Sequence, residues 1–360
     1  MPKTKLVAVV AALLAAAAAR GGTIGTPITA DGYVFTNFDF PNSGTAAGAG
    51  TNVNGIANNG NVVGFSLTNN GDFDNFAGNP YGAPSAVTGL ALTAMALGIN
   101  SAGDVVGQNN AGAFFQAAGG SPMALLTAAS TSIAFGINDD GNIVGQFMVG
   151  NESPGFYLAD SEANSLIEIL APGAANIVNA QGIDDNGLIV GFYVGNDGQD
   201  HGFEANVKNA SGGLLVGSAI GDPTIPGVAG EPGATFVFSQ ILGVNDHGIA
   251  VGYYGDSTTS QHGFLYNTNT GVYTFLDDPA EQFSNGVEVT QITGINKAGE
   301  ITGFYTDANG VSHGFVGCPA GENCANLSAA QTPEPASWML GGLGLGLAGL
   351  CRRRRAVRSA

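Results

Sequence analysis

The chain of 360 residues sets ten Lys and Arg against 28 Asp and Glu, a net charge of −18, and contains 58 glycines. Between residues 21 and 332 only Lys208 and Lys297 oppose 27 acidic residues, so that stretch carries −25. Such a surface repels nucleic-acid phosphates and anionic lipid headgroups, which excludes nucleic acid as an expected partner.

At the N-terminus Lys3 and Lys5 precede an apolar run from Leu6 to Ala19, and Ala17, Ala18 and Ala19 offer the small residues a signal peptidase accepts. The run is short for an anchor, so residues 1–19 are expected to be a cleaved export signal. The segment Gly32 to Pro41, GYVFTNFDFP, then resembles GVYTFLDDP beginning at Gly271.

An eleven-residue element follows and recurs. It reads GIANNGNVVGF from Gly55, GINSAGDVVGQ from Gly98, GINDDGNIVGQ from Gly136, GIDDNGLIVGF from Gly182, GVNDHGIAVGY from Gly243 and GINKAGEITGF from Gly294. The starts lie 43, 38, 46, 61 and 51 residues apart, a period that means a repeat architecture. Each copy has the chemistry of a β-hairpin. Asn and Asp suit an Asx-type turn, and the sixth position is always glycine (Gly60, Gly103, Gly141, Gly187, Gly248, Gly299), as a turn needing φ > 0 requires. The tenth position is also always glycine, read here as a packing contact between neighbouring units.

His-Gly-Phe follows ten residues after the tenth-position glycine at His201, His262 and His313, with weaker versions at Gly155-Phe156 and Ala113-Phe114. With a fourth segment such as VYTFLDDP from Val272, each unit holds four short strands, the arithmetic of a propeller blade. The sixth copy ends after HGFV without a fourth strand, which Gly32 to Pro41 would supply. The expected fold is therefore all-β: a six-bladed β-propeller over residues 20–317, closed by an N-terminal strand, with signal and anchor helices at the two termini. An open β-solenoid or a pair of sheets is the competing layout, and the long, irregular period fits it less well. The combined GIN and HGF elements, from about Thr51 to Val316, resemble the bacterial extracellular repeat family called HAF. That resemblance implies location and architecture rather than chemistry.

The residues that could carry chemistry read mostly as structural. His201, His262 and His313 occupy equivalent places on separate units, so each is expected to bond a carbonyl or carboxylate of its own unit rather than share a metal. Asp139-Asp140 and Asp184-Asp185 fall in hairpin turns and read as solvated loops, whereas Asp277-Asp278 follows a strand. Calcium in the turns is the competing reading, but NDDGN lacks the spacing of an EF-hand loop. No cofactor is expected. The Gly- and Pro-rich stretch from Lys208 to Gly233 reads as a surface excursion. Cys318 and Cys324, in CPAGENC, are expected to form one disulfide in an oxidising space, within a Cys loop and linker over residues 318–332.

The C-terminus closes the chain with three parts in order: Pro333-Glu334-Pro335, an uncharged run from Ala336 to Cys351, then Arg352, Arg353, Arg354 and Arg355. The apolar run is short for a span, and the arginines should stay cytoplasmic. This block, residues 333–360, resembles the PEP-CTERM sorting signal of Gram-negative bacteria. The resemblance implies an exosortase partner, transient anchoring in the inner membrane and release to the cell surface or matrix. The expected function is a non-enzymatic surface or matrix protein binding glycan or protein in an exopolysaccharide layer. The alternative is a secreted carbohydrate-active enzyme with its site at the propeller mouth.

Overall fold

The computed structural model describes residues 23–322 apart from 83, 127–130, 162–164, 174–176, 225–233 and 282–286. The signal segment, the apolar anchor, Cys324 and the sorting block lie outside the described residues. The described chain is all-β and propeller-like, with two single-turn 3₁₀ helices at Ala159–Ser161 and Val207–Asn209.

Each copy of the repeat builds one antiparallel group. In the fifth, Phe236–Val244, Ile249–Asp256, Gln261–Asn267 and Val272–Phe275 pair in chain order. The first copy does the same with Gly50–Ile56, Val62–Leu67, Phe73–Gly78 and Ser85–Ala86. In the sixth, Thr290–Ile295, Ile301–Thr306 and Ser312–Pro319 are joined by Tyr33–Asp39 from the N-terminus, whose Val34 to Phe38 stand opposite Cys318 to Gly314. Hydrogen bonding divides the strands into five sheets rather than six, because the single parallel pair Ser312–Gly50 joins the first and sixth groups into one ten-stranded sheet.

The glycines explain how the groups fit together. In all six copies the first strand bulges immediately before the first glycine of the element. The bulge brings that glycine against the next copy: a Cβ on Gly136 would lie 2.6 Å from the Gln181 carbonyl oxygen and 3.3 Å from the Gly182 Cα. The same approach runs from Gly55 to Gly98, Gly98 to Gly136, Gly182 to Gly243 and Gly243 to Gly294, and then from Gly294 to Gly55. The packing contact expected of the tenth-position glycine belongs to the first instead. The tenth glycine faces its own unit, opposite the Phe of the third strand: Gly64–Phe76, Gly107–Phe114, Gly145–Phe156, Gly191–Phe203, Gly252–Phe264 and Gly303–Phe315. All six phenylalanines are fully buried. A cross-strand ring laid over a bare backbone protects that glycine from solvent.

The apolar core is correspondingly split into six clusters, each between consecutive groups. One joins Val63 and Ala57 of the first to Ile99 and Phe114 of the second, and another joins Phe38 and Val316 of the sixth to Val53 and Phe76 of the first. The stretch after Lys208 is more than a surface excursion. Ser218–Ala219 supplies the fourth strand of the fourth group, and Leu214–Val216 adds a parallel fifth strand to the third group beside Ile167–Leu170. A composition rich in Gly and Pro concealed two short strands whose partners lie in different units.

Candidate functional site

The six hairpin turns meet at one end of the array and interlock there. All six sixth-position glycines have φ between 71° and 86°, the left-handed region the turn demands. At the third position Asn100, Asn138, Asp184, Asn245 and Asn296 each accept, through a side-chain oxygen, the N–H four residues on, at 2.7 to 3.1 Å. Four of these side chains also reach the next copy: Nδ2 of Asn100, Asn138, Asn245 and Asn296 donates to the carbonyl of Asn138, Asp184, Asn296 and Ala57.

The fourth position continues the linkage. The N–H of Ser101, Asp139 and Asp185 donates to the carboxylate of Asp139, Asp185 and Asp246 respectively, at 2.7 to 3.0 Å, and Lys297 N–H donates to Asn58 Oδ1 at 2.8 Å. Asn58 then reaches across to units that are not its neighbours, giving Nδ2 to Asp139 Oδ2 at 3.0 Å and to Asp185 Oδ2 at 3.4 Å. Lys297 Nζ lies 3.2 Å from Asp246 Oδ2. Asp139 and Asp140 lie exposed in their turn, whereas Asp185 is half-buried and Asp184 is only 5% exposed. Burial first, and Asp246 after it, raises its carboxyl above the ordinary range. Asp185 is raised in the same way, by burial and then by Asp246, Asp139 and Asp140. Cavities of about 50 and 70 Å³ lie among these turns and the bulges behind them, far below the several hundred Å³ of a ligand pocket.

The three repeat histidines lie apart, each gripped by carboxylates. Nδ1 of His201, His262 and His313 is 3.0 Å from Asp222, Asp277 and Asp39. On the Nε2 side stand Asp197 at 3.1 Å, Asp256 at 3.8 Å and Asp307 at 3.7 Å. Each ring lies against the tyrosine opposite it on the second strand, Tyr193, Tyr254 or Tyr305. Burial by itself would lower the imidazoles of His201 and His262, but the paired carboxylates outweigh it and raise both. For His313 the Asp39 hydrogen bond is the leading cause of the rise. Close to His262, burial pushes Glu281 up to about 8, and it pushes Asp278 up to about 6.

The repeat period located the histidines, and their carboxylate partners escaped it. Asp39 is 274 residues from His313, and Asp222 sits in the stretch after Lys208. Asn58 escaped too, because its position in the turn does not reveal that it spans to the third and fourth copies. Among the described residues no group of three or more His, Cys, Asp or Glu is arranged to hold a metal ion. His247 is an exposed turn residue. Cys318 is disulfide-bonded, and its expected partner Cys324 lies outside the described residues.

Among solved structures the chain is similar to a prolyl endopeptidase at 10% identity and TM-score 0.39, covering 79% of this chain and 54% of that one. It is also similar to a streptogramin B lyase at 12% and 0.41, covering 80% and 99%. The β-propeller domain of the trilobed protease from Pyrococcus furiosus matches at 10% and 0.38, covering 88% and 99%. The chain thus spans about half the length of the endopeptidase, and these likenesses concern fold alone. No curated protein matches the chain in sequence. No helix among the described residues is long and apolar enough to cross a membrane, and the expected span at Ala336 to Cys351 is outside them. Residues 331–355 match the family described as the PEP-CTERM protein-sorting motif, so the C-terminus carries the recognition signal of an exosortase, the mark of an exported, cell-surface protein of Gram-negative bacteria.

Proposed function

We propose that the chain is a non-enzymatic surface or matrix protein of HAF-repeat type, whose six groups act as the blades of a closed propeller and which binds glycan in an exopolysaccharide layer. Blade-like closure is supported by the glycine approaches and apolar clusters, which run from the sixth copy back to the first. The observation that carries the non-enzymatic reading is the interlocked turn cluster. A glycosidase needs two carboxyls free to act on either side of a sugar, whereas Asp139, Asp185 and Asp246 spend both oxygens on Ser101, Asn58, Lys297 and backbone N–H groups.

The test is to screen the exported protein against a glycan array with calcium and with chelator, and to assay the bound glycans for new reducing ends. Retention without hydrolysis is expected. Release of reducing sugar would overturn the reading in favour of the carbohydrate-active enzyme. Calcium-independent retention is expected as well, since no role for the ion enters this proposal. Intact-mass analysis of the protein from its host should find Arg352 to Arg355 removed. Secreted material that keeps them would refute exosortase processing.

A further inference from the structure

The fourth strands differ in length from group to group, and a cleft opens beside that of the fifth. In the first, second and fourth groups the fourth strand pairs through only two residues. In the fifth it forms a regular hairpin of four paired residues from Asn267–Val272 to Phe264–Phe275. Facing that hairpin is the sixth group, whose fourth strand comes from the N-terminus and brings Tyr33, its hydroxyl donating to the Gly299 carbonyl at 3.2 Å. Between them lies a cleft of about 410 Å³, within the range of small-ligand sites and several times larger than the cavities at the turn cluster.

The lining has a definite chemistry. Ile249, Leu265 and Val272 give it an apolar wall, Tyr33 a half-buried ring, and Asn267 and Thr274 polar groups at the margin. None of the lining residues is charged, although the protein around it carries −25 over residues 21–332. Burial holds the Tyr33 phenol up to about 12, so it too stays neutral. An acidic ligand would be repelled by the surrounding field, and a cationic one would find no carboxylate inside. An uncharged ligand that offers apolar C–H faces to a ring and hydroxyls to amides matches on both counts. We infer that this cleft between the fifth and sixth repeats binds a neutral saccharide unit; the inference rests on the proposed glycan-binding function and assigns it a place.

The test uses the intact chain, with neutral gluco-, manno- and galacto-tetrasaccharides and tetragalacturonate as probes, by titration calorimetry. A neutral tetrasaccharide should bind and tetragalacturonate should not. Val272→Glu and Thr274→Asp place a carboxylate at exposed positions and should each weaken binding at least about tenfold with the melting temperature unchanged. Binding that survives both variants would remove the site from this cleft while leaving glycan binding intact. Failure of the parent to bind any neutral sugar would sink the glycan reading itself. Self-association abolished by Val272→Glu, or a cross-link from Thr274→Cys to residues beyond Glu322, would give the cleft to a second copy or to the chain's own C-terminal segment, and would overturn the inference.

Discussion

Gly136→Ala tests how the repeats are held together. The added Cβ would meet the Gln181 carbonyl oxygen at 2.6 Å, the Val144 Cγ2 at 3.1 Å and the Gly182 Cα at 3.3 Å. Two of the three are backbone atoms of the neighbouring repeat, so no rotamer change relieves them and the fourth unit must move away from the third. Overpacking of this kind costs about 2 kcal/mol. With an unfolding entropy of about 2.1 cal/mol/K per residue over roughly 300 residues, that cost lowers the melting temperature by about 3 °C. Gly150→Ala is the matched control: φ is 63° and nothing lies within 4 Å, so only left-handed strain of about 1 kcal/mol remains. Thermal melts of both variants, with urea titration as a check on cooperativity, decide the matter. If Gly136→Ala melts within about 1 °C of the parent, or is milder than the control, close glycine approach does not hold the repeats.

Stability should fall as pH rises from about 5 to 8.5. His201, His262, His313, Asp278 and Glu281 all bind protons more tightly when folded. Their stabilisation is complete below the unfolded pKa values and is lost through about 6 for Asp278 and about 8 for Glu281. The lowered carboxyls of Asp197 and Asp307 act only in more acid solution. Calorimetry across this range should show the decline, and Glu281→Gln should flatten it; a melting temperature that climbs with pH would contradict the signs. Asp139→Asn keeps one oxygen to accept the Ser101 N–H but sets a donor against Asn58 Nδ2, and at this exposed position should cost about 1 kcal/mol. A calcium-dependent rise in the parent's melting temperature that vanishes in this variant would instead make the turns an ion site. Deleting residues 31–42 removes the strand paired to Ser312–Pro319 together with Phe35, Phe38 and Phe40 of two clusters. It should produce aggregation through the bared edges, seen by light scattering; a monomeric variant melting within a few degrees of the parent would refute that role.

What could be read in the sequence was local. The hairpin turns were legible because Asn or Asp before a left-handed glycine is a property of six adjacent residues, and the four-strand unit was legible from the repeated GIN and HGF strings. The tenth glycine was misassigned to the contact between units for a physical reason: sequence shows that a side chain is absent, and only the sheet shows which face lacks it. The bulge before Gly136 is what turns the first glycine outward toward Gly182. Contacts between distant copies, such as Asn58 with Asp185, carried no sequence signal at all, whereas the likeness of residues 32–41 to the fourth strand of the fifth copy pointed to the partnership that brings Asp39 to His313. The cleft was invisible for a related reason, since its walls come from residues as far apart as Tyr33 and Gly299.

The partnership of Tyr33–Asp39 with Ser312–Pro319 also dictates a timetable. An exported chain emerges N-terminus first, so this strand arrives before any of the six repeats and its partner arrives after the other five. Throughout that interval its edge toward Ser312–Pro319 has water, or another protein, as its only company, while the opposite edge can pair with Thr23–Ile24 and Ile28–Ala30. Loop-closure entropy grows only logarithmically with the intervening length, so waiting costs little equilibrium stability. It costs time, because contacts between residues so far apart in sequence form slowly. The last repeat is thus the step that retires the first strand, and a chain that stalls before His313 has been delivered leaves an adhesive edge outside the membrane.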